Sequence, residues 1–486
     1  EYFDGLRVIS MTEYSQDCQV AIVGAGPAGL AAACVLADKG VDVVVLDEQG
    51  APGGQVFRAV EAVSAARPED MAVLGSSFAG GIELIERFRA SGAAYRPGVS
   101  VWEITSAQES ELAIGLVEDG VAQMLYPRHI ILATGAMERP TPFPGWTLPG
   151  VMTVGAAQTL FKASGLIPDP SVVLAGTGPL LYLYANQLLG AGVTPQAILD
   201  TRPPSSWSTR MLALGVLAEC PSAMIQGLRW MREVKRQVPV LTEVTFLKAH
   251  GTEQLSSVSC RAPGRSTELN TELLLVHDGV IPNTWLSMSA GIEHRFDPVQ
   301  RCWSPDICGA GMTSREAISV VGDAAGIAGV QVALLQGERI AHEVLGQLNL
   351  AQKPKPVSIG ESWAFRRQRR LRRFLDQCFP ANAQFQLPPD DDTIVCRCEE
   401  VTAGEIRQVA ARGCMGPNQG KAFTRCGMGP CMGRECAATV SQMMAQVHKL
   451  PVSVVGHYRI RPPIRPITVG QLADIPLRTF TTVTGV

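Results

Sequence analysis

The sequence predicts an α/β protein with two βαβ units of the dinucleotide-binding type, followed by a small cysteine-rich domain. Three observations carry this. Glycine-rich turns between strand and helix occur twice, from residues 24 and 176; a strand ending in Ala-Thr-Gly precedes the second unit and a strand closing in Gly-Asp follows it; and six of the 13 cysteines fall between Cys396 and Cys436. The length of 486 residues suits about three domains at roughly 100–200 residues each.

Composition narrows the function classes. The formal charge is −3, so no basic field points to nucleic acid. Hydrophobic residues make up 46% and charged residues 18%, which excludes a mainly disordered chain. The 48 glycines exceed the usual share of about 7%, which suits close backbone approach to a large ligand. Glu1, Asp4 and Glu13 interrupt any apolar leader, and Ile318–Leu335, broken by Asp323 and Gln331, is unsuited to spanning a membrane. A cytoplasmic chain with reduced thiols is the expectation.

The first unit reads QVAIVGAGPAGLAAACVLADKGVDVVVLD over 19–47. Gly24 allows the tight turn, and Gly26 lets the backbone approach a pyrophosphate. Pro27 and Ala28 start the helix whose N-terminus faces the phosphates, and Gly29 lets helix and strand pack closely. Asp47 closes the second strand, where a carboxylate accepts ribose hydroxyls, and Glu48 is its competitor. Gly53-Gly54-Gln55, with Arg58 behind, follows the second strand. HIILATG over 129–135 places Thr134 and Gly135 at a chain crossing, and SVVGD over 319–323 ends in Gly322 and Asp323. These pieces, in this order, resemble flavoprotein reductases with two dinucleotide domains. That resemblance implies FAD, with Asp323 on the ribityl chain and a backbone contact from Val101 to the adenine.

The second unit, 172–200, ends in Asp200, but its turn is Gly176-Thr177-Gly178-Pro179-Leu180-Leu181. Leu181 stands where Gly or Ala permits close helix–strand packing. The expectation is a retained fold that no longer uses a nicotinamide, with bound ADP or ATP left open. Gly54 is followed by Gln55-Val56-Phe57-Arg58 with no cysteine, so a redox-disulfide mechanism is disfavoured.

Cys396-Arg-Cys398 is followed by Cys426-Gly-Met-Gly-Pro-Cys431. Four thiolates suit a 2Fe-2S cluster or zinc, and the CxC spacing is unusual for zinc knuckles. The preferred ligands are Cys396, Cys398, Cys426 and Cys431, with Cys414 or Cys436 as replacements. Gly427 and Gly429 let backbone amides point at sulfur. Thr402 and Glu405 read as a capping box before a helix over 403–413.

The stretch CRCEEVTAGEIR…KAFTRCGMGPCMGREC resembles the bacterioferritin-associated-ferredoxin type of 2Fe-2S domain. With APGGQVFR and YRIRPPIRPITVGQL, the chain resembles the A subunits of opine (octopine and nopaline) oxidases, with the B subunit of hydrogen cyanide synthase and the α subunits of dye-linked proline and hydroxyproline dehydrogenases as relatives. The resemblance implies a fold like glutathione and thioredoxin reductases, carrying FAD and a 2Fe-2S cluster. It implies a D-amino-acid-oxidase-like B subunit with its own FAD that oxidises the substrate, FMN at the subunit interface in several relatives, a further small subunit and an electron carrier. Oxidation of octopine or nopaline would yield arginine and a 2-oxo acid. A self-contained NAD(P)H-dependent reductase and a zinc-stabilised scaffold are the competing readings.

The expected division is a first FAD-domain half over 17–147, the inserted NAD(P)H-like domain over 148–285, the second FAD-domain half over 286–350, a linker with an arginine-rich helix over 351–390, the 2Fe-2S domain over 391–450, and a tail over 451–486. The six arginines within 366–373 read as a solvated or partner-facing helix side. The Pro-rich tail reads as a strap docked on the protein.

Overall fold

The computed structural model describes residues 16–108, 111–204, 206–350, 359–381 and 383–475. The first ten residues and 351–358 of the expected linker lie outside the described residues.

The first sheet grows from the apolar run that precedes Gly24. β1 (Gln16–Val23) is followed by α1 (Pro27–Ala37), β2 (Val43–Asp47), β3 (Ala94–Pro97), β4 (Ser100–Gln108), β5 (Glu111–Glu118) and β6 (Val121–Leu132), in the order β3-β2-β1-β6-β5-β4. β1 runs parallel to β2 (Val20 opposite Val43) and to β6 (Val20 opposite His129). Val20, Ala21, Ile22, Ile130 and Ile131 are inaccessible, the continuous burial that parallel strands covered on both faces require. Strand Ile318–Val320 returns from the far side of the chain to pair with β6, Ile318 opposite Ile130. α1 is Ala-rich because it is squeezed between this sheet and helix Val330–Gln347. A Cβ on Gly337 would lie 2.2 Å from the Ala28 carbonyl oxygen.

The intervening chain forms a second parallel sheet from β7 (Val151–Thr153), β8 (Val173–Thr177), β9 (Ala197–Asp200), β10 (Val240–Leu241) and β11 (Leu274–Asp278), in the order β10-β9-β8-β11-β7. Its helices are α2 (Val154–Ser164), α3 (Pro179–Gly190), α4 (Trp207–Glu219) and α5 (Pro221–Gln237). A three-stranded antiparallel sheet over residues 246–270 packs against it. Two antiparallel segments, Ala136–Glu138 and Val280–Pro282, carry the chain between the two sheets.

The arginine-rich segment is helix α6 (Ile359–Cys378). Its cations are largely engaged: Arg370 with Glu219, Arg372 with Asp376, Arg367 over Trp363, Arg369 over Phe365. Beyond it lie α7 (Ala403–Ala411), α8 (Pro417–Thr424) and α9 (Ala437–His448). The Thr402 and Glu405 capping box forms at the start of α7, each side chain accepting from the other's backbone N–H. The Cys-rich segment shares one buried cluster with the first sheet: Val395, Cys396, Cys436, Val440 and Tyr458 are continuous with Val101, Leu116, Ile130 and Trp285. The tail straps this arrangement, since Ile464 N–H donates to the Trp102 carbonyl (2.9 Å) and Arg465 pairs with Glu48 (2.6 Å).

Burial makes three histidines acid-sensitive. His129, whose Nε2 lies 2.8 Å from Ser319 Oγ in the core, is pushed down to about 4, and so are His294 and His457. A free imidazole titrates near about 6.5, so the unfolded chain takes up protons first. The stability these three histidines contribute is present above about pH 6.5 and is lost as pH drops through that value toward about 4. Melting temperatures measured across this window should decline, and His129→Gln should flatten the decline without abolishing it.

Candidate functional site

The first glycine turn is built for close approach. A Cβ on Gly29 would sit 2.0 Å from the Gly24 carbonyl oxygen, and one on Gly24, at φ +110°, 2.3 Å from the Ala133 carbonyl oxygen. Both glycines are therefore required by the fold. Gly26 differs: a Cβ there would meet nothing nearer than Gly54 Cα at 4.0 Å, and its φ of −79° suits any residue. The open side of this turn, at the N-terminus of α1, is where backbone N–H groups can receive an anion.

The other expected residues gather around this turn. Asp47 accepts from the Ala25 N–H (2.5 Å) and the Gln49 N–H (2.7 Å), and burial pushes its carboxyl up while those two bonds oppose the shift. Glu48 is turned to the tail by Arg465. Arg58 donates to Gln49 from one terminus, while its buried Nε has no partner. Gly54 packs on Gly26, and a Cβ there would fall 2.8 Å from Gly26 Cα. The Gln55 carbonyl accepts from Lys162 (3.1 Å), whose ammonium burial and nearby Arg58 push down to about 8. Thr134 donates from its hydroxyl to the Asn283 carbonyl (2.9 Å), and Gly135 accepts from the Asn283 N–H. Asp323 accepts from the Ala328 and Gly329 N–H groups at 3.0 and 3.1 Å, which orders the turn into helix Val330–Gln347. Gly322 touches Ala28, where a Cβ would meet the Ala28 methyl at 2.9 Å. Val101 lies in the ladder with Leu116 and its side chain is buried, whereas the amide reaching the end of β2 is that of Val99, 2.9 Å from the Asp47 carbonyl. Lys162 and Val99 carry no motif, and nothing in local sequence marks them.

The second turn has the same backbone course and a different surrounding. Leu181 is inaccessible. Asp200 is 1% exposed, and its carboxylate is taken by the Tyr182 hydroxyl (2.6 Å), the Arg202 N–H (2.9 Å) and the Arg202 guanidinium (3.3 Å). The His277 ring stands against Gly178, 2.9 Å from the place of a Cβ, with Nδ1 2.6 Å from Glu138 Oε1. Glu138 also accepts from the Gly155 N–H at the start of α2 (2.8 Å). Phe385, from the segment behind α6, shares one buried cluster with Val173, Ala175 and Leu199 of this sheet.

Among the cysteines, the sulfurs of Cys396, Cys426 and Cys436 lie within 4.8 Å of one another, all buried. Cys398, exposed, pairs with Cys431, whose N–H faces the Cys398 sulfur. The thiols of Cys426 and Cys436, with smaller help from the Gly427 and Glu399 N–H groups, push the Cys396 thiol far below the ordinary range against the opposing effect of burial. A Cβ on Gly429 would collide with Cys398 Cβ at 2.3 Å. The structure thus brings Cys436, the residue capping α9, into contact with two of the four expected ligands. Spacing alone could not select it, because Cys426–Cys431 and Cys431–Cys436 have the same CxxxxC interval. Cys414 stays outside, and its carbonyl accepts from His448 (2.8 Å). The Tyr458 hydroxyl faces Cys426, and Trp285 Nε1 donates to the Met432 carbonyl (3.0 Å), tying the thiol loop to the first domain. The three clustered sulfurs and the Cys398–Cys431 pair, with amides aimed at Cys396 and Cys398, fit an iron–sulfur cluster or a zinc ion by donor chemistry.

These two nucleotide folds and their order define a flavoprotein-type oxidoreductase, and residues 18–337 match the pyridine nucleotide-disulphide oxidoreductase family. That family's domain implies FAD. Residues 391–475 match the sarcosine oxidase A3 domain. The chain belongs to the family of opine oxidase A subunits: it is 39% identical to the opine oxidase A subunit of Rhizobium meliloti over 99% of this chain and 92% of that protein. Identity to the A subunit of the Agrobacterium tumefaciens opine oxidase is also 39%, over 99% and 97%. Hydrogen cyanide synthase subunit HcnB of Pseudomonas aeruginosa is 31% identical over 93% and 98%. Among solved structures, L-proline dehydrogenase from P. horikoshii shares the fold with a TM-score of 0.68 at 18% identity, covering 95% of this chain and 80% of that one. The chain is an oxidoreductase subunit, and the names of its relatives imply partner subunits.

The glycines of the first turn separate folding from binding. Gly26→Ala should leave the melting temperature unchanged and weaken flavin retention, measured by absorption after gel filtration. Gly29→Ala should lower stability by about 1–3 kcal/mol, since its Cβ overpacks the turn.

Proposed function

We propose that the chain is the FAD- and 2Fe-2S-bearing electron-transfer subunit of a multi-subunit opine oxidase that cleaves octopine or nopaline to arginine and a 2-oxo acid. The observation that carries this reading is a thiol group, Cys396, Cys426 and Cys436, buried in one core with the sheet that carries the open first nucleotide turn, while Gly54 is followed by Gln55-Val56-Phe57-Arg58 with no cysteine.

The first turn would hold FAD through Gly24, Gly26, Pro27, Ala28 and Gly29. Asp47 or Glu48 would serve the ribose, Gly54, Gln55 and Arg58 the adjoining loop, Thr134 and Gly135 the crossing, and Gly322 and Asp323 the ribityl side. Val101 belongs to the same assignment, with Val99 as its nearer neighbour. The cluster would be held by Cys396, Cys398, Cys426 and Cys431, with Cys436 competing for one place. When bound, these groups supply electron-transfer chemistry; the chain positions them, excludes water and aims amides at the sulfurs. The engaged Asp200, the buried Leu181 and the His277 ring over Gly178 favour a second domain that takes no nicotinamide. Substrate oxidation would lie in a D-amino-acid-oxidase-like B subunit with its own FAD, with FMN at the shared interface, in a cytoplasmic complex that passes electrons to a carrier. The match to HcnB and the fold of L-proline dehydrogenase favour, as second reading, the α subunit of a dehydrogenase for proline, hydroxyproline or glycine.

Three experiments test the proposal. The anaerobically purified chain, reduced with dithionite, should give the paramagnetic signal of a 2Fe-2S centre; zinc with no iron and no flavin would overturn it. Cys431→Ser should lose iron and keep flavin, and normal iron stoichiometry in that variant moves the fourth ligand to Cys436. Separately, NADH or NADPH added to the isolated chain should leave the flavin oxidised over many turnover times, whereas rapid bleaching would establish a self-contained reductase.

A further inference from the structure

The strongest unassigned feature lies away from both cofactor regions. Helices α4 and α5 form a hairpin on the flank of the second domain. α4 buries Thr209 and Val216, and Val216 and the following Cys220 lie in a small cluster with Phe374 of α6. Its opposite face repeats large apolar side chains at helical spacing: Trp207 (76% exposed), Met211 (50%), Leu214 (64%) and Leu217 (43%). α5 adds Ile225 (49%) and Leu228 (47%). Singly exposed apolar residues are ordinary, but six on one hairpin indicate a surface that is covered in use.

The surrounding charge says what covers it. α5 exposes Arg229, Arg232, Lys235 and Arg236, none of them in an ion pair among the described residues. The hairpin has two acids, of which Glu219 is held by Arg370 and Glu233 by the Gln237 amide. A second copy would bring the same cations face to face across a two-fold axis, which opposes self-association. An apolar strip with a terminal tryptophan and a predominantly cationic border, four cations against the one exposed carboxylate of Glu233, matches a plane of anionic headgroups over an acyl boundary.

We propose that the α4–α5 hairpin is a docking surface for an anionic lipid bilayer, lying in the interface with Trp207, Met211 and Leu214 inserted and the α5 cations at the headgroups. This is contact without crossing, since no described helix is long and apolar enough to span a membrane. The reading is independent of which cofactors the chain carries.

Vesicle sedimentation tests it, using the full chain co-expressed with its partner subunits. The complex should pellet with vesicles of phosphatidylcholine mixed with phosphatidylglycerol, weakly with phosphatidylcholine alone, and less as salt rises. Trp207→Ser combined with Leu214→Ser should cut partitioning by about tenfold or more, as removal of two inserted side chains requires. Arg229→Glu with Arg232→Glu should lose the preference for the anionic vesicles at an unchanged melting temperature. Absence of binding to the anionic vesicles would overturn the proposal. So would vesicle-independent release of a partner or loss of a dimer in the Trp207→Ser, Leu214→Ser complex, seen by analytical ultracentrifugation, which would assign the strip to a protein contact.

Discussion

The structure depends on one shared hydrophobic core. The cysteine-rich segment is too small to bury its own sulfur loop, and it borrows the outer face of the first sheet to do so. Val395, Cys396, Cys426, Cys436 and Tyr458 belong to the same buried cluster as Val101, Leu116, Ile130 and Trp285. The Trp285 indole bond to Met432 and the Arg465–Glu48 pair close that contact from two directions. A protein interior packed at crystal-like density transmits position, so the thiol loop is placed relative to the first nucleotide turn by packing rather than by a tether.

The two βαβ units show how one backbone pattern takes two fates. Both have the strand, the glycine turn, the helix and the closing aspartate. In the first, Gly26 looks onto open space and Asp47 lies beside the turn. In the second, Tyr182 and Arg202 have taken the carboxylate of Asp200, and His277, braced by Glu138, covers Gly178. A buried carboxylate must be paired, and the closing aspartate is held by backbone N–H groups in the first unit and by the Tyr182 and Arg202 side chains in the second.

The first glycine turn and the Thr402 cap were legible because their constraints are local. A turn that needs no Cβ at Gly24 and Gly29 demands glycine in the chain itself, and the Thr402–Glu405 cap is set by residues three apart. What escaped local reading depends on distant partners. Lys162 reaches the Gln55 carbonyl across 107 residues, and His277 meets Glu138 across 139. The α4 face was equally silent, since an amphipathic helix declares an apolar stripe without declaring whether the protein covers it.

By itself, the sequence determined the class of fold, the two glycine turns and the concentration of thiols, because each follows from backbone sterics or residue chemistry at short spacing. Only the tertiary structure decided which sulfurs meet, what closes the second turn and which apolar stripe faces outward. Those outcomes turn on packing between segments far apart in the chain, and two equal CxxxxC intervals cannot be told apart until the fold brings Cys436 against Cys396.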